Sequence, residues 1–206
     1  MNLPKTTQVS VKEEVISSGP KSCVRDRIMR TASDLFYRHG IRAVGVDTIA
    51  CEAGTNKMSF YRNFASKDEL VAEYLRSEER EGMLWWDETI AAHVGNPRLQ
   101  VESLFDVLVK NTCEDDSRGC ALANAAVEIT EPDHPARPVI EKYKADMRRR
   151  FHQLAREMKA REPEALGDSL MLLWEGAYLA RVTMGAEGPV QGAAKAARAL
   201  IAAYTD

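Results

Sequence analysis

From Val24 onward, apolar residues recur three and four positions apart, the period of a helix with one buried face. Val24, Ile28, Ala32, Leu35 and Phe36 form the first stripe, with Ser22 placed to cap its start and Gly40 to stop it. The pattern therefore predicts a helix over 22–39. Two short helices follow. One spans 46–53, turns Val46, Ile49, Ala50 and Ala53 inward, and is ended by Gly54; the other spans 57–64 and is capped by Asn56. Ser66-Lys67-Asp68-Glu69 has the spacing of a capping box, and it opens a long helix that carries Leu70, Val71, Tyr74 and Leu75 and runs to about residue 93.

Longer elements fill the second half. Asn96-Pro97 opens a helix whose buried stripe is Val101, Leu104, Phe105, Leu108 and Val109. Residues 114–119 read as a polar loop and 120–130 as a short apolar helix closed by Glu131-Pro132. Asp133-His134-Pro135 starts a helix with Val139, Ile140, Tyr143, Met147, Phe151, Leu154 and Met158 on one face. Pro163 opens the next (Leu166, Leu170, Leu173, Trp174, Ala177, Ala180), and a turn over 185–189 precedes an Ala-rich helix ending near Tyr204. The sum is an all-α chain of about nine helices without a sheet. Residues 1–21 show no period and read as a flexible tail. The organisation expected is tail (1–21), small helical head (22–67) and larger helical body (68–206).

Composition narrows what such a chain does. Its 206 residues carry 28 Lys+Arg and 31 Asp+Glu, a net charge of −3, with 45% hydrophobic residues, an ordinary globular balance. No segment approaches the roughly 20 apolar residues of a membrane span, and the N-terminus lacks an export signal, so a cytoplasmic protein is expected. Cys23, Cys51, Cys113 and Cys120 form no CxxC pair and His39, His93, His134 and His152 are scattered, so neither a metal site nor a cofactor is expected. Neither paired Glu-x-x-His motifs nor a nucleophile elbow is present, which leaves an enzyme reading without support.

The charge is uneven. Residues 22–67 hold eight basic and four acidic side chains, a net +4, whereas 68–206 hold 17 basic and 25 acidic, a net −8. Within the basic head, two short helices joined by a Gly-containing turn have the proportions of a helix-turn-helix, whose second helix enters the DNA major groove. That helix sets Lys57, Ser59, Arg62 and Asn63 around Phe60 and Phe64, and adds the hydroxyl of Tyr61. A helical interaction module that does not bind DNA is the rival reading, and it has no use for such a polar, basic outer face.

The run VDTIACEAGTNKMSFYRNFASKDEL resembles the DNA-binding signature of the tetracycline-repressor (TetR) family of bacterial regulators. The resemblance rests on Ile49-Ala50, Ala53-Gly54, Lys57, Phe60-Tyr61, Phe64, Ser66-Lys67 and Leu70, with Leu35-Phe36 and His39-Gly40 before them. It implies a three-helix DNA-binding domain, an effector-binding and dimerising body, and a homodimeric repressor released from a palindromic double-stranded operator by a small molecule. It also places Thr48, Lys57, Ser59, Tyr61, Arg62, Asn63 and Lys67 at positions that commonly meet DNA. By their chemistry Tyr61, Lys67 and Thr48 suit phosphates, Lys57, Met58 and Ser59 with Asn63 suit bases, and the fork of Arg62 suits either. The sequence departs from the pattern at Gly45, where a capping Ser or Thr is usual, at Met58, where a small residue is common, and at Asn63, which replaces a frequent His.

For the body, the family implies a pocket between helices. Trp85, Phe105, Asn124, Tyr143, Met147, Phe151, Trp174 and Tyr178 are candidate lining residues, although their apolar spacing equally fits plain core packing. Cys120 follows Arg118-Gly119 at the start of a helix, where amide dipoles and the arginine favour a thiolate. RGCALANAAVEI is similar to a segment of family members that sense electrophiles or oxidants, with Cys113 as a possible resolving thiol. Leu170, Trp174, Ala177, Ala193, Ala197, Leu200 and Ile201, on the last two helices, are the candidate dimer interface.

Overall fold

The computed structural model describes residues 23–112 and 117–205. Ser22 and Cys113 therefore lie outside the described residues. Nine α-helices and one 3₁₀ turn, with no strand, make up the described part. They are α1 (Val24–His39), α2 (Val46–Glu52), α3 (Lys57–Asn63), α4 (Lys67–Ala91), α5 (Pro97–Thr112), α6 (Ala121–Glu128), α7 (Arg137–Glu157), α8 (Pro163–Met184) and α9 (Ala193–Thr205), with the 3₁₀ turn at Pro189–Gly192. No helix among the described residues is long and apolar enough to cross a membrane.

Local chemistry sets the boundaries around the head. Gly40 ends α1 with a positive φ of 87°, and its amide donates to the Phe36 carbonyl. Gly54 (φ 64°) makes the turn between α2 and α3. The Asn56 side chain accepts from the Ser59 amide at 2.9 Å to start α3, and Ser66 Oγ accepts from the Glu69 amide at 3.0 Å to start α4. Only half of the capping box forms, because the Glu69 carboxylate accepts from Arg76 (3.2 Å) instead of reaching back. Gly45 starts α2 with no side-chain cap, as expected of that departure from the family pattern.

Two boundaries differ from the sequence pattern. Helix α7 begins at Arg137 because the Ala136 amide donates to Nδ1 of His134, which caps a turn where the helix was expected to have begun. Helix α6 stops at Glu128, and Ile129 is already extended (φ −94°, ψ 98°) three residues before Pro132.

One continuous core runs through the molecule. In the head, Ile28, Ala32, Phe36, Ile49, Phe60 and Phe64 are buried between α1, α2 and α3. The core passes into α4 through Phe36 and Tyr74, whose ring centres are 5.7 Å apart. Helix α4 thus belongs to both halves, its first turns packed on the head and its later turns carrying Trp85 and Trp86 into the body.

Candidate nucleic-acid interface

Burying Phe60 and Phe64 fixes which side of α3 faces outward. The outer side carries Lys57, Met58, Tyr61 and Arg62 exposed, with Ser59 and Asn63 half-buried. Met58 is 67% exposed and Tyr61 50%, unusual for large side chains with apolar bodies, and the two lie on the same short helix. Thr48 is exposed on α2. Seven of the eight residues expected to meet DNA thus share one accessible surface built by α2 and α3.

Internal hydrogen bonds order that surface. Lys57 Nζ donates to Asp47 Oδ2 at 3.1 Å, Asn63 Nδ2 to the Ser59 carbonyl at 2.7 Å, and the Arg62 guanidinium to Met58 Sδ at 3.5 Å. Phe60 holds Tyr61 edge-on, with centroids 5.3 Å apart, and leaves the phenol hydroxyl outward.

Lys67 is the exception. Expected at a phosphate, its ammonium instead donates to the Ile41 carbonyl at 2.6 Å and lies 5.9 Å from the centre of the Phe36 ring. Burial holds its pKa below the ordinary lysine value. The residue ties the start of α4 to the turn after α1, a bond across 26 positions that no local pattern discloses.

Further ties join head and body. Arg25 makes a forked pair with Glu73 (2.7 and 2.5 Å) and stacks 4.7 Å over Phe64. Arg42 reaches the Glu128 carbonyl (2.7 Å) and the Glu131 carboxylate (2.6 Å), while its amide donates to Glu128 Oε2 (3.0 Å). At the other end of α6, the Tyr37 hydroxyl accepts from the Arg118 amide (2.8 Å) and donates to the Gly119 carbonyl (3.3 Å). The Arg118 guanidinium donates to the carbonyls of Tyr37 and Arg38. Burial raises the Tyr37 pKa, so its hydroxyl remains a donor. Both ends of α6 therefore grip the α1 region.

Residues 28–74, the helix-turn-helix and the start of α4, match the family described as bacterial regulatory proteins, tetR family. Over 89% of its length the chain also superposes on a TetR-family transcriptional regulator from Streptomyces coelicolor, with a TM-score of 0.82, 25% identity and 96% of that chain covered. Residues 28–74 thus carry the family's DNA-binding domain, and the whole fold is similar to that of a TetR-family regulator. The chain is 30% identical over 116 residues to the transcriptional activator FasR of Mycolicibacterium smegmatis (55% of this chain, 51% of FasR). It is 34% identical over 92 residues to the transcriptional repressor KstR2 of Mycobacterium tuberculosis (43% of this chain, 44% of KstR2). The chain thus spans about half the length of these curated relatives, which are named as transcription regulators, not enzymes.

In the body, the residues expected to line a pocket pack against one another. Trp85, Phe105, Cys120, Tyr143, Met147, Phe151, Trp174 and Tyr178 are all buried. Trp174, 1% exposed, is the hub, with ring centres of Trp85, Trp86, Phe105, Phe151 and Tyr178 between 5.4 and 6.0 Å away. Rings at these separations fill the space between these helices. Asn124 is half-buried, and its amide donates to the Arg118 carbonyl (2.8 Å). Open space lies beside this hub, in a groove of about 390 Å³ lined by Trp86, Ile90, Gln100, Arg149, Arg150 and Leu154 among others.

Cys120 is buried where α6 starts, but Arg118 is directed away from it, toward α1. The cation at its sulfur is Lys144, with Nζ 3.7 Å from Sγ and 2.6 Å from Glu175 Oε1. Sequence reading did not find Lys144, since α7 brings it from 24 positions away.

The candidate dimer residues lie mostly inside the protomer. Leu170, Trp174, Ala177, Ala193, Ala197 and Ile201 are buried within the protomer, and Leu200 packs partly against the same core. Helix α8 is apolar on a second side. Leu172 (74% exposed), Leu179 (64%) and Val182 (49%) face solvent there, and nothing within 4 Å opposes the open Cα of Gly176 between them.

Proposed function

We propose that this protein is a homodimeric, sequence-specific DNA-binding transcription regulator whose hold on a palindromic operator is weakened by a small-molecule effector. The observation that carries this reading is the outer face of α3, where Lys57, Met58, Ser59, Tyr61, Arg62 and Asn63 stand accessible on a helix whose opposite face is locked by Phe60 and Phe64. Side chains of this kind on a short, rigidly seated helix suit the major groove, where amide, hydroxyl and cationic groups read base edges and a thioether meets a thymine methyl. The net +4 of residues 22–67 supplies attraction to phosphate and the net −8 of residues 68–206 keeps the body off it.

Two copies related by a two-fold axis present two such helices. Leu172, Leu179 and Val182 on α8 are the exposed apolar face best suited to meet a second copy. An effector that prefers a dimer with another head spacing lowers DNA affinity by its differential binding alone. The groove at Trp86 is the point of access this reading favours, because Trp86 sits on α4, the helix shared by head and body, and touches Phe151 at 4.8 Å. Footprinting on the DNA that flanks the protein's own gene tests the reading. Two protected half-sites about 34–36 Å apart, or a multiple of that, are expected; uniform or absent protection contradicts it.

A second reading concerns the signal. The Lys144 ammonium lies 3.7 Å from the Cys120 sulfur, and the two residues before Cys120 carry the bonds to Tyr37. Adding bulk to the sulfur pushes on the point where α6 grips α1, which couples a reactive electrophile to the DNA head. Cys23 and Cys51 are exposed and react with N-ethylmaleimide as well, so peptide mapping is needed: an adduct at Cys120 and release of DNA are expected, and the release is lost in Cys120→Ser. Full release from that variant rejects the sensor reading and leaves the DNA-binding reading intact.

A further inference from the structure

The recognition surface holds one acidic group that none of the DNA-contact residues accounts for. Asp47 lies in the first turn of α2 and Lys57 is the first residue of α3, and the Gly54 turn brings these two helix starts together. Lys57 Nζ and Asp47 Oδ2 are 3.1 Å apart, and both side chains are more than half exposed. A carboxylate on a surface that meets a polyanion weakens general attraction to DNA. Stabilising the uncapped start of α2 through the helix dipole is one use for it, but that use does not require Lys57.

We propose that Asp47 is a specificity-determining residue, and that the Asp47–Lys57 pair reads a G·C base pair in each half-site of the operator. The inference rests on the DNA-binding reading above. Side by side, the pair offers one acceptor and one donor at hydrogen-bond spacing. The major-groove edge of a G·C pair offers the complement: guanine O6 accepts and cytosine N4–H donates, and the two are held about 2.9 Å apart by their own hydrogen bond. Lys57 donates to O6 and to the adjacent N7, while Asp47 accepts from N4. A T·A pair presents O4 and N6–H in the same order, but a methyl group stands beside O4 in place of the second acceptor on guanine. Away from such a pair, Asp47 holds the ammonium of Lys57 and opposes phosphate, so the wrong sequence is rejected as well as the right one bound.

The test is binding selection from a randomised duplex library with the full-length protein, followed by affinity measurements on the selected site for wild type, Asp47→Asn and Asp47→Ser. Wild-type sites are expected to hold a G·C pair at one fixed position per half-site, and replacing it with A·T or T·A is expected to cost about tenfold or more in affinity. In Asp47→Asn the same replacement costs less than about threefold, while affinity for random duplex rises and the log–log salt slope steepens by about 1 per half-site. Asp47→Ser keeps a helix-starting side chain without the charge, and it is expected to lose discrimination equally. Thermal melting of both variants checks that the head is folded. Selected sites without such a pair, or variants that discriminate at it as wild type does, overturn the proposal while the protein still binds DNA. A wild-type protein that enriches no sequence overturns the DNA-binding reading and the proposal with it.

Discussion

Tyr61 and Lys67 carry comparable donors on neighbouring elements, and the fold uses them differently. Tyr61 projects from a helix whose other face is pinned by Phe60, so its hydroxyl is available to a partner. The Lys67 ammonium is half-buried on the Ile41 carbonyl. Tyr61→Phe is therefore expected to weaken DNA binding about tenfold, the loss of one charge-assisted bond, with no change in melting temperature. Lys67→Met is expected to destabilise the fold by about 1–3 kcal/mol, since it leaves a buried carbonyl without its donor. Parallel binding and melting titrations distinguish the two, and a Lys67→Met variant that melts as wild type contradicts the structural role. Both residues were legible as polar neighbours of an apolar stripe, but the bond that holds Lys67 within the fold was not. The partner of Lys67 depends on how the chain closes over 26 positions. For the same reason Trp174 reads in sequence as either a pocket residue or plain core, and only the fold shows the five rings packed around it. Trp174→Ala is expected to cost about 3–5 kcal/mol in denaturant unfolding, a cavity effect and not a ligand effect.

Among the elements, starts and stops governed by one or two adjacent residues follow the sequence closely: Gly40 after α1, Asn56 before α3 and Ser66 before α4. The start of α7 shifts because the His134 imidazole, and not the Asp133 carboxylate, takes the amide that decides where the helix begins. Helix α4 is joined to the head through Arg25–Glu73 and Lys67–Ile41 and to the body through Trp85 and Trp86. Ser66→Ala removes the acceptor of the Glu69 amide, at a cost of about 1 kcal/mol in the first turn. Operator affinity at fixed salt is expected to fall, because the head is then less firmly seated on α4. Affinity equal to wild type would show that the cap has no part in presenting the head.

Across the whole molecule, the net charge of −3 conceals a basic head on an acidic body, and only the charge of each segment points to the partner. Assembly was harder to read. Helix α8 carries apolar residues on two sides, and periodicity alone does not say which side meets its own core. The structure gives Leu170, Trp174 and Ala177 to the core, leaving Leu172, Leu179 and Val182 outside. Leu172→Glu with Leu179→Glu is expected to convert the dimer to a monomer in sedimentation equilibrium and to lower operator affinity without lowering protomer melting. A double variant that remains dimeric places the interface elsewhere. The central claim, that α3 delivers this protein to DNA, is tested most directly by binding to its flanking DNA across a salt series, wild type against Lys57→Ala with Tyr61→Ala. Wild-type affinity is expected to fall by about 10³-fold or more between about 50 and 200 mM salt, with the double variant weaker throughout and its slope shallower. Binding that ignores salt, or a double variant that binds as wild type does, contradicts the account.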